Sequence, residues 1–402
     1  MSGGRAGTGP LAGITVVEVA DIITGPLCGV LLAEMGAEVI KVETYGSSMY
    51  RRHAIYRDGI PPLFYNTNRG KKSVCIDAKT PEGRAVLGDL VAGADVLLTN
   101  LRPGKPDGIG LSYESVRARN PRVVYTHITG FGDDGPYASL PTWDFVIQGV
   151  LGMVDYQTDP VAGTMDVNRQ VIVDKSTAYT ACQAVLGALF ARERTGEGQF
   201  VQVTMAEAGL AFFWCDALSA KHTLPERTLP FDVKDAYRVY ATADGHVVTM
   251  PTVTPFERVA LALDRPEWLV DERFTDPATF LEHMTEALAL YATAFASFTT
   301  DEVMARFAEH DVPLGRVNTR DEMLRDPQIV HMGAVIERDH VAPVGPARQP
   351  VPPWRFAATP AEPTDRIALL GQDTRSVLAE RLGLDDAELD RLHALGALDW
   401  PV

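Results

Sequence analysis

Cysteine is scarce in this chain: four in 402 residues, at Cys28, Cys75, Cys182 and Cys215, far apart and in apolar surroundings. They form no paired spacing, so neither a disulfide frame nor a zinc site is expected, and they read as buried free thiols of a reducing compartment. The nine histidines show no His-x-x-x-His or His-Glu-x-x-His spacing, so no metal is expected. Basic charge is also short. Lys and Arg number 37 against 53 Asp and Glu, a net charge of -16. That balance excludes a general nucleic-acid binder, which needs a dominant basic surface. An anionic ligand must instead be held by a local group of cations working against the overall field. No run approaches the roughly 18 uninterrupted apolar residues that span a membrane. The opening residues, Met1 to Gly7, lack the apolar stretch of a signal peptide. No membrane partner is therefore expected, and a cytoplasmic location is.

Phosphate signatures are missing too. No Gly-x-Gly-x-x-Gly follows the first strand, which argues against a dinucleotide enzyme. Gly70-Lys71-Lys72-Ser73 imitates a P-loop, but Ser does not follow the first Lys, and Tyr65 stands where the leading glycine belongs. Arg69, Lys71 and Lys72 still form a basic cluster, and Arg102 with Lys105 another. Each is open to two readings, a phosphate contact or a solvated turn.

What is present is a strand–helix alternation. Residues 14–19 read as a buried strand, Gly25-Pro26 opens a helix through Met35, and 37–43 form a second strand. The pattern recurs with a strand at 73–77, a helix at 81–92, a strand at 94–99, a helix at 113–119 and a strand at 122–128. This predicts a doubly wound, Rossmann-like α/β domain, whose ligands lie beyond the carboxyl ends of its strands. Asn100, Leu101 and Arg102 follow one such end directly. A smaller α+β domain begins near Asp232, with a hairpin over 237–249 turned at Asp244-Gly245 and helices at 255–262, 279–298 and 300–310. Seven prolines between 342 and 363 suggest an extended strap, and Asp385 to Leu395 a capped terminal helix. The expected partition is a large domain over 1–225, a small one over 226–325, and a return segment over 326–402 that completes the first.

Asp174 stands out. It follows Val171-Ile172-Val173, which read as a strand, and opens an apolar run from Thr177 to Arg192 that covers nearly every helical face and so belongs to a buried helix. A carboxylate at that junction faces the positive end of the helix dipole, which favours its ionised form. It is either a poised nucleophile or a helix cap.

Five segments in order carry a resemblance: Pro10 to Ile14 leading to Gly25-Pro26; Leu32 to Glu43; Asn68 to Ser73; Asn100-Leu101-Arg102-Pro103-Gly104; and Asp174 to Gln199 with its Gly-rich turn. Together they resemble the class III CoA-transferase family, which includes formyl-CoA transferase, carnitine CoA-transferase and α-methylacyl-CoA racemase. The resemblance implies two chains interlocked as a homodimer, with acyl-CoA and a small organic acid as partners; the expected acid is small or medium-sized, and the expected donor is succinyl-CoA or another acyl-CoA. It implies Asp174 as the nucleophile, forming an aspartyl anhydride and then an aspartyl-CoA thioester. It places coenzyme A contacts at Ile23, Thr24, Ile76, Lys79, Asn100, Leu101 and Arg102. Thr44 and Gly108 stand where formyl-CoA transferase has arginines, so Arg51, Arg52, Arg102 or the Arg69 to Lys72 cluster are candidates to replace them. Its Gly-rich covering loop has no counterpart between Pro225 and Tyr237, which argues against formate or oxalate as substrate.

Two alternatives accompany this. A racemase of the same fold needs a histidine where Trp143 stands, and an indole cannot carry a proton at neutral pH; His127 reads as a packed strand histidine. A non-catalytic CoA-binding protein would keep Asp174 only as a cap. A serine or cysteine hydrolase has no Gly-x-Ser-x-Gly elbow or recognisable Cys–His signature here.

Overall fold

The computed structural model describes residues 8–44, 51, 60–158, 163–218, 222–224, 226, 233–250, 254–274, 276–361, 363–364 and 366–401. They cluster into two units: residues 1–154, 167–212 and 333–402 in the first, 155–166 and 213–332 in the second.

The first unit is built on strands β1 (Thr15–Val19), β2 (Glu38–Glu43), β3 (Lys72–Ile76), β4 (Val96–Thr99), β5 (Val124–Thr129) and β6 (Gln199–Thr204), joined by a terminal β12 (Leu398–Asp399). Their order is β12-β3-β2-β1-β4-β5-β6. Every pairing is parallel except that of β12 with β3. The order of β1 to β6 is that of a doubly wound sheet, with its switch point between β1 and β4. Strands β1 to β5 are almost wholly buried, as parallel strands covered on both faces must be, and among the charged residues they carry inside, Glu18 of β1 and Lys41 of β2 are paired with each other.

Successive residues of a strand point to opposite faces, and the cores follow that rule. Val17, Ile40 and Leu97 pack beneath helices α3 (Pro81–Ala92) and α4 (Tyr113–Arg119), with α11 (Thr374–Leu382) and α12 (Asp386–Ala394) on the same side. Val16, Val39, Val96 and Leu98 face α1 (Thr24–Glu34) and α6 (Ile172–Thr195) on the other. In chain order α2 (Pro62–Asn68) precedes β3, α5 (Asp144–Val150) follows β5, and α7 (Met205–Ala217) follows β6.

Residues 333–402 complete the sheet edge. Asp373 Oδ2 accepts the Ser73 N–H at 2.8 Å and Thr374 Oγ1 the Cys75 N–H at 3.0 Å, so side chains satisfy an edge that backbone pairing only partly covers. The expected proline strap is not a bare extended segment. β10 (Val335–Val341) and β11 (Gly345–Pro350) form a two-stranded antiparallel hairpin, where prolines occupy the turn and the edge positions that need no N–H. Beyond it Trp354 and Phe356 pack against the α1/α6 core. Cys28, Cys75 and Cys182 are buried, but Cys215, on α7, is exposed, contrary to its apolar sequence context.

In the second unit β7 (Arg238–Ala241) and β8 (His246–Thr249) form the expected hairpin, and β9 (Gly315–Arg316) joins β8. Helices α8 (Phe256–Ala262), α9 (Met284–Phe295) and α10 (Thr300–Glu309) enclose an aromatic core that includes Tyr291, Phe295 and Phe307. The helix expected over 279–298 is broken at His283, which stands at the start of the second piece without capping it and whose Nδ1 lies 3.0 Å from Glu286 Oε1.

Candidate active site

Asp174 is the third residue of α6, and no strand precedes it: Val171 has φ -76 and ψ 67 and pairs with nothing in the sheet. The β-branched run Val171-Ile172-Val173 is drawn into the helix by burial of Val173, which overrides its local strand preference. Nor does Asp174 cap its own helix. That task falls to Asp144, at the start of α5, whose Oδ2 accepts the Asp174 N–H at 2.9 Å. Asp144 is 1% exposed, and its Oδ1 accepts from Gln148 Nε2 at 2.5 Å. Gln148 in turn bonds the backbone of Asn168 and Gln170, fixing the loop that delivers α6.

The Asp174 carboxylate is 7% exposed, and its Oδ1 accepts a hydrogen bond from Thr24 Oγ1. Burial pushes its pKa up to about 6; the Thr24 hydroxyl opposes that rise and the Asp144 charge adds to it. The helix N-terminus alone would hold the group ionised well below that pH. Desolvation wins, because water is removed from the charged form on most sides.

Thr24 opens α1, at the end of a tight connection from β1. Gly25 is required there: a Cβ on it would lie 2.5 Å from Ala20 Cβ. Ile22 has φ 73, a left-handed conformation costly for a β-branched residue. It is held by its neighbour Asp21, which Asn100 holds in turn. Asn100 Oδ1 accepts the Asp21 N–H at 3.0 Å, Asn100 Nδ2 donates to Asp21 O at 2.8 Å, and Asp21 Oδ1 accepts the Ile22 N–H at 2.8 Å. The Asn100 amide is thus a clamp on the β1–α1 connection.

Two cavities meet at Leu101 and Arg102, just past β4. The smaller, about 180 Å³, is lined by Thr24, Asn100, Phe131, Trp143 and Asp174 among others. The larger, about 610 Å³, opens at the carboxyl ends of β1, β2 and β3 and is lined by Thr44, Ile76, Lys79 and Lys105 among others. The structure therefore gathers Asp174, Thr24 and Asn100 at one cavity, Ile76 and Lys79 at the other, and Leu101 and Arg102 at both. Ile23 is buried and lines neither; its neighbour Ile22 lines the smaller.

The cations sort themselves sharply. Arg69 pairs with Glu34 and Lys72 with Glu38, while Lys71 is 2% exposed and lies 2.7 Å from Glu18. The Arg69 to Lys72 cluster is neither a phosphate site nor a solvated turn; it is a set of internal ion pairs. Arg51 is held bidentately by Glu43 and stacks on Phe64. Arg52 lies outside the described residues. Lys79, Arg102 and Lys105 are exposed beside the larger cavity, and none has an ion-pair or side-chain hydrogen-bond partner among the described residues. Among the described residues no three His, Cys, Asp or Glu side chains could together hold a metal ion, and no helix is long and apolar enough to cross a membrane.

Trp143 lines the smaller cavity, and His127 does not; its Nε2 lies 2.8 Å from Leu101 O. The titratable side chains of that lining are Asp174 and Arg102 alone among the described residues.

Known proteins of similar sequence and structure match this arrangement over almost its full length. The succinyl-CoA–D-citramalate CoA-transferase of Chloroflexus aurantiacus is 32% identical over 96% of this chain and 97% of its own. The succinate–glutarate CoA-transferase of Agrobacterium fabrum is 30% identical over 92% and 95%. The crystal structure of an aspartate-to-alanine mutant of Rv3272 from Mycobacterium tuberculosis superposes with a TM-score of 0.81, at 26% identity, covering 94% of this chain and 100% of that one. The sequence profile described as CoA-transferase family III matches residues 11–374, and the chain belongs to that family.

Proposed function

We propose that this protein moves CoA from an acyl-CoA thioester to a free carboxylic acid, with Asp174 as the nucleophile. One observation carries the proposal: the buried Asp174 carboxylate faces a small cavity that meets a nucleotide-sized cleft at Leu101 and Arg102. A cleft of several hundred Å³ suits a ligand of this kind. The CoA nucleotide would occupy it, its phosphates met by the unpaired Lys79, Arg102 and Lys105. The pantetheine arm would pass Leu101 and bring the thioester to Asp174.

The carboxylate then attacks the donor carbonyl, giving an aspartyl–acyl anhydride and CoA thiolate. The thiolate attacks the aspartyl carbon, giving aspartyl-CoA and the free donor acid. The acceptor carboxylate attacks that thioester to form a second anhydride, and the thiolate takes the new acyl group and regenerates Asp174. One thioester replaces another, so no external energy source is required. Burial of Asp174 protects the anhydrides from water. A two-base racemase has no second proton carrier in this lining, because a guanidinium stays protonated.

The proposed donor is succinyl-CoA, named for the Chloroflexus protein, and the proposed acceptor a small dicarboxylic acid, by analogy with the glutarate named for the Agrobacterium protein. The proposed enzyme acts in the cytoplasm as an interlocked homodimer. Pairing would cover the exposed Tyr137, Leu140, Phe145, Val146 and Val150.

The test is incubation with succinyl-CoA and related thioesters without acceptor, followed by intact-mass measurement and peptide mapping. An acyl- or CoA-sized adduct on the Asp174 peptide, absent from Asp174→Ala, is the expected result. No adduct after hydroxylamine trapping, with donor bound, would remove the nucleophile from the proposal.

A further inference from the structure

We infer that Thr24 is a catalytic residue: its hydroxyl is the oxyanion donor for every step in which the aspartyl carbon of Asp174 is attacked. The inference rests on the aspartyl mechanism proposed above.

The geometry separates the two carboxylate oxygens. Thr24 Oγ1 donates to Asp174 Oδ1, and both side chains are buried, at 4% and 7% exposure. Oδ2 is left as the attacking atom. When Oδ2 bonds to the donor acyl carbon, the thioester C–S bond breaks and the electron pair leaves on CoA sulfur. Oδ1 is then the carbonyl oxygen of the aspartyl half of the anhydride, still beside Thr24.

In the next step the thiolate sulfur bonds to the Asp174 carboxyl carbon. The carbonyl π pair moves onto Oδ1, which bears a full negative charge in the tetrahedral adduct. Collapse restores the carbonyl and breaks the bond to Oδ2, which departs in the donor carboxylate. The acceptor carboxylate repeats the attack on the same carbon, and Oδ1 carries the charge again as sulfur leaves.

A hydroxyl already aimed at Oδ1 requires no reorganisation as that charge develops. It remains in place because Thr24 sits in the first turn of α1, its backbone fixed by the Asn100 clamp on the preceding connection. By contrast, in the first step the charge develops on the donor's own carbonyl oxygen, which Thr24 does not touch. The hydroxyl therefore acts on some steps and not on others, and that asymmetry makes its role measurable.

The experiment compares native protein, Thr24→Val, Thr24→Ala and Thr24→Ser by rapid quench with succinyl-CoA and no acceptor, reading acyl-sized and CoA-sized mass on the Asp174 peptide. Removing the hydroxyl should slow the CoA-sized adduct by about 10²–10³-fold, the usual loss for one oxyanion donor. The acyl-sized adduct should form no more slowly than in native protein, and Thr24→Ser should restore CoA-adduct formation to within about tenfold of native. Thr24→Ala cannot overcrowd the site, so it reports even if the valine variant folds poorly. Equal slowing of both masses, or CoA-adduct formation at the native rate without the hydroxyl, overturns the inference while leaving Asp174 as nucleophile. Absence of either mass in native protein instead removes the aspartyl mechanism itself.

Discussion

Asp144 and Asp174 are 30 residues apart in sequence, yet the carboxylate of one accepts the backbone N–H of the other at 2.9 Å. One aspartate therefore caps the helix that displays the second, and its charge also raises the second's pKa. The two effects can be separated by mutation. Asp144→Asn keeps an oxygen for the N–H and removes the charge, so the acid limb of the kcat/KM profile should move to lower pH, with a stability loss from the amide group it turns toward Gln148 Nε2. Asp144→Ala leaves the buried Asp174 N–H without its acceptor and takes one of three acceptors from the Gln148 amide, at a cost of about 1–3 kcal/mol. The pH dependence of kcat/KM and urea titration of the two variants beside the native protein check the two effects in turn.

Asp174 itself should show activity and stability in opposition. With its pKa raised to about 6, transfer needs the ionised form and should fall as pH drops below that value. Stability has the other sign. An unfolded aspartate ionises near 3.9, so between that pH and about 6 the folded state holds a proton the unfolded state has lost. The stability present at acid pH is thus lost as pH rises through the folded pKa. The loss approaches about 3 kcal/mol as an upper figure, for a shift of some two pKa units. Asp174→Asn keeps an oxygen for Thr24 and should abolish transfer while raising the melting temperature at pH 7. An unchanged or lower melting temperature would show that burial of the charge is not what strains the site.

How far the sequence disclosed this depended on distance along the chain. Helices with their own punctuation were legible: Thr80 and Pro81 start α3, Ser112 caps α4, and Asp385 caps α12, each cap through a bond spanning three residues. The doubly wound class followed from the alternation of strands with helices, whereas the strand order itself came only with the structure. The partners of Asp174 were not legible. Thr24 lies 150 residues away, and nothing in its surroundings announces a contact with that carboxylate. The basic run at 69–72 misled for a related reason, since Glu18 and Glu34, which neutralise part of it, come from β1 and α1. Val171 to Val173 read as a strand because their side chains are β-branched, whereas the buried face of α6 decides their conformation.

If the unpaired cations beside the larger cavity hold the nucleotide, they should act on binding and not on chemistry. Lys79→Ala and Lys105→Ala should each raise KM for acyl-CoA by about two- to fivefold with kcat unchanged, the range for exposed charge contacts. The differences should shrink as ionic strength rises. Lys72→Ala, whose ammonium faces Glu38, should leave KM where it is. Initial-rate kinetics at two salt concentrations distinguishes the outcomes, and an equal effect at Lys72 would move the phosphates elsewhere.

The sharpest stability prediction concerns Glu18, which is 0% exposed and lies 3.0 Å from Lys41 Nζ and 2.7 Å from Lys71 Nζ. Its two lysines hold the carboxyl below its ordinary range despite complete burial, while burial lowers Lys71 to about 8. Gly29 leaves room for the cluster, because a Cβ there would sit 2.0 Å from Glu18 Oε2. Glu18→Gln strands two buried ammonium groups without their counter-charge, and should cost about 3–5 kcal/mol. The exposed pair of Glu388 and Arg391 supplies the contrast, and Glu388→Gln should leave the urea midpoint where it was. The effect of Glu18→Gln should reach the active site as well. Lys41 Nζ also donates to Ala20 O at 2.6 Å, on the connection that carries Ile22 and Thr24. Loss of its carboxylate partner frees that ammonium to shift, so kcat should fall in the fraction that remains folded. A Glu18→Gln protein with native stability and native kcat would mean that the lysines neutralise on burial, and that the β1–α1 connection is held by Asn100 alone.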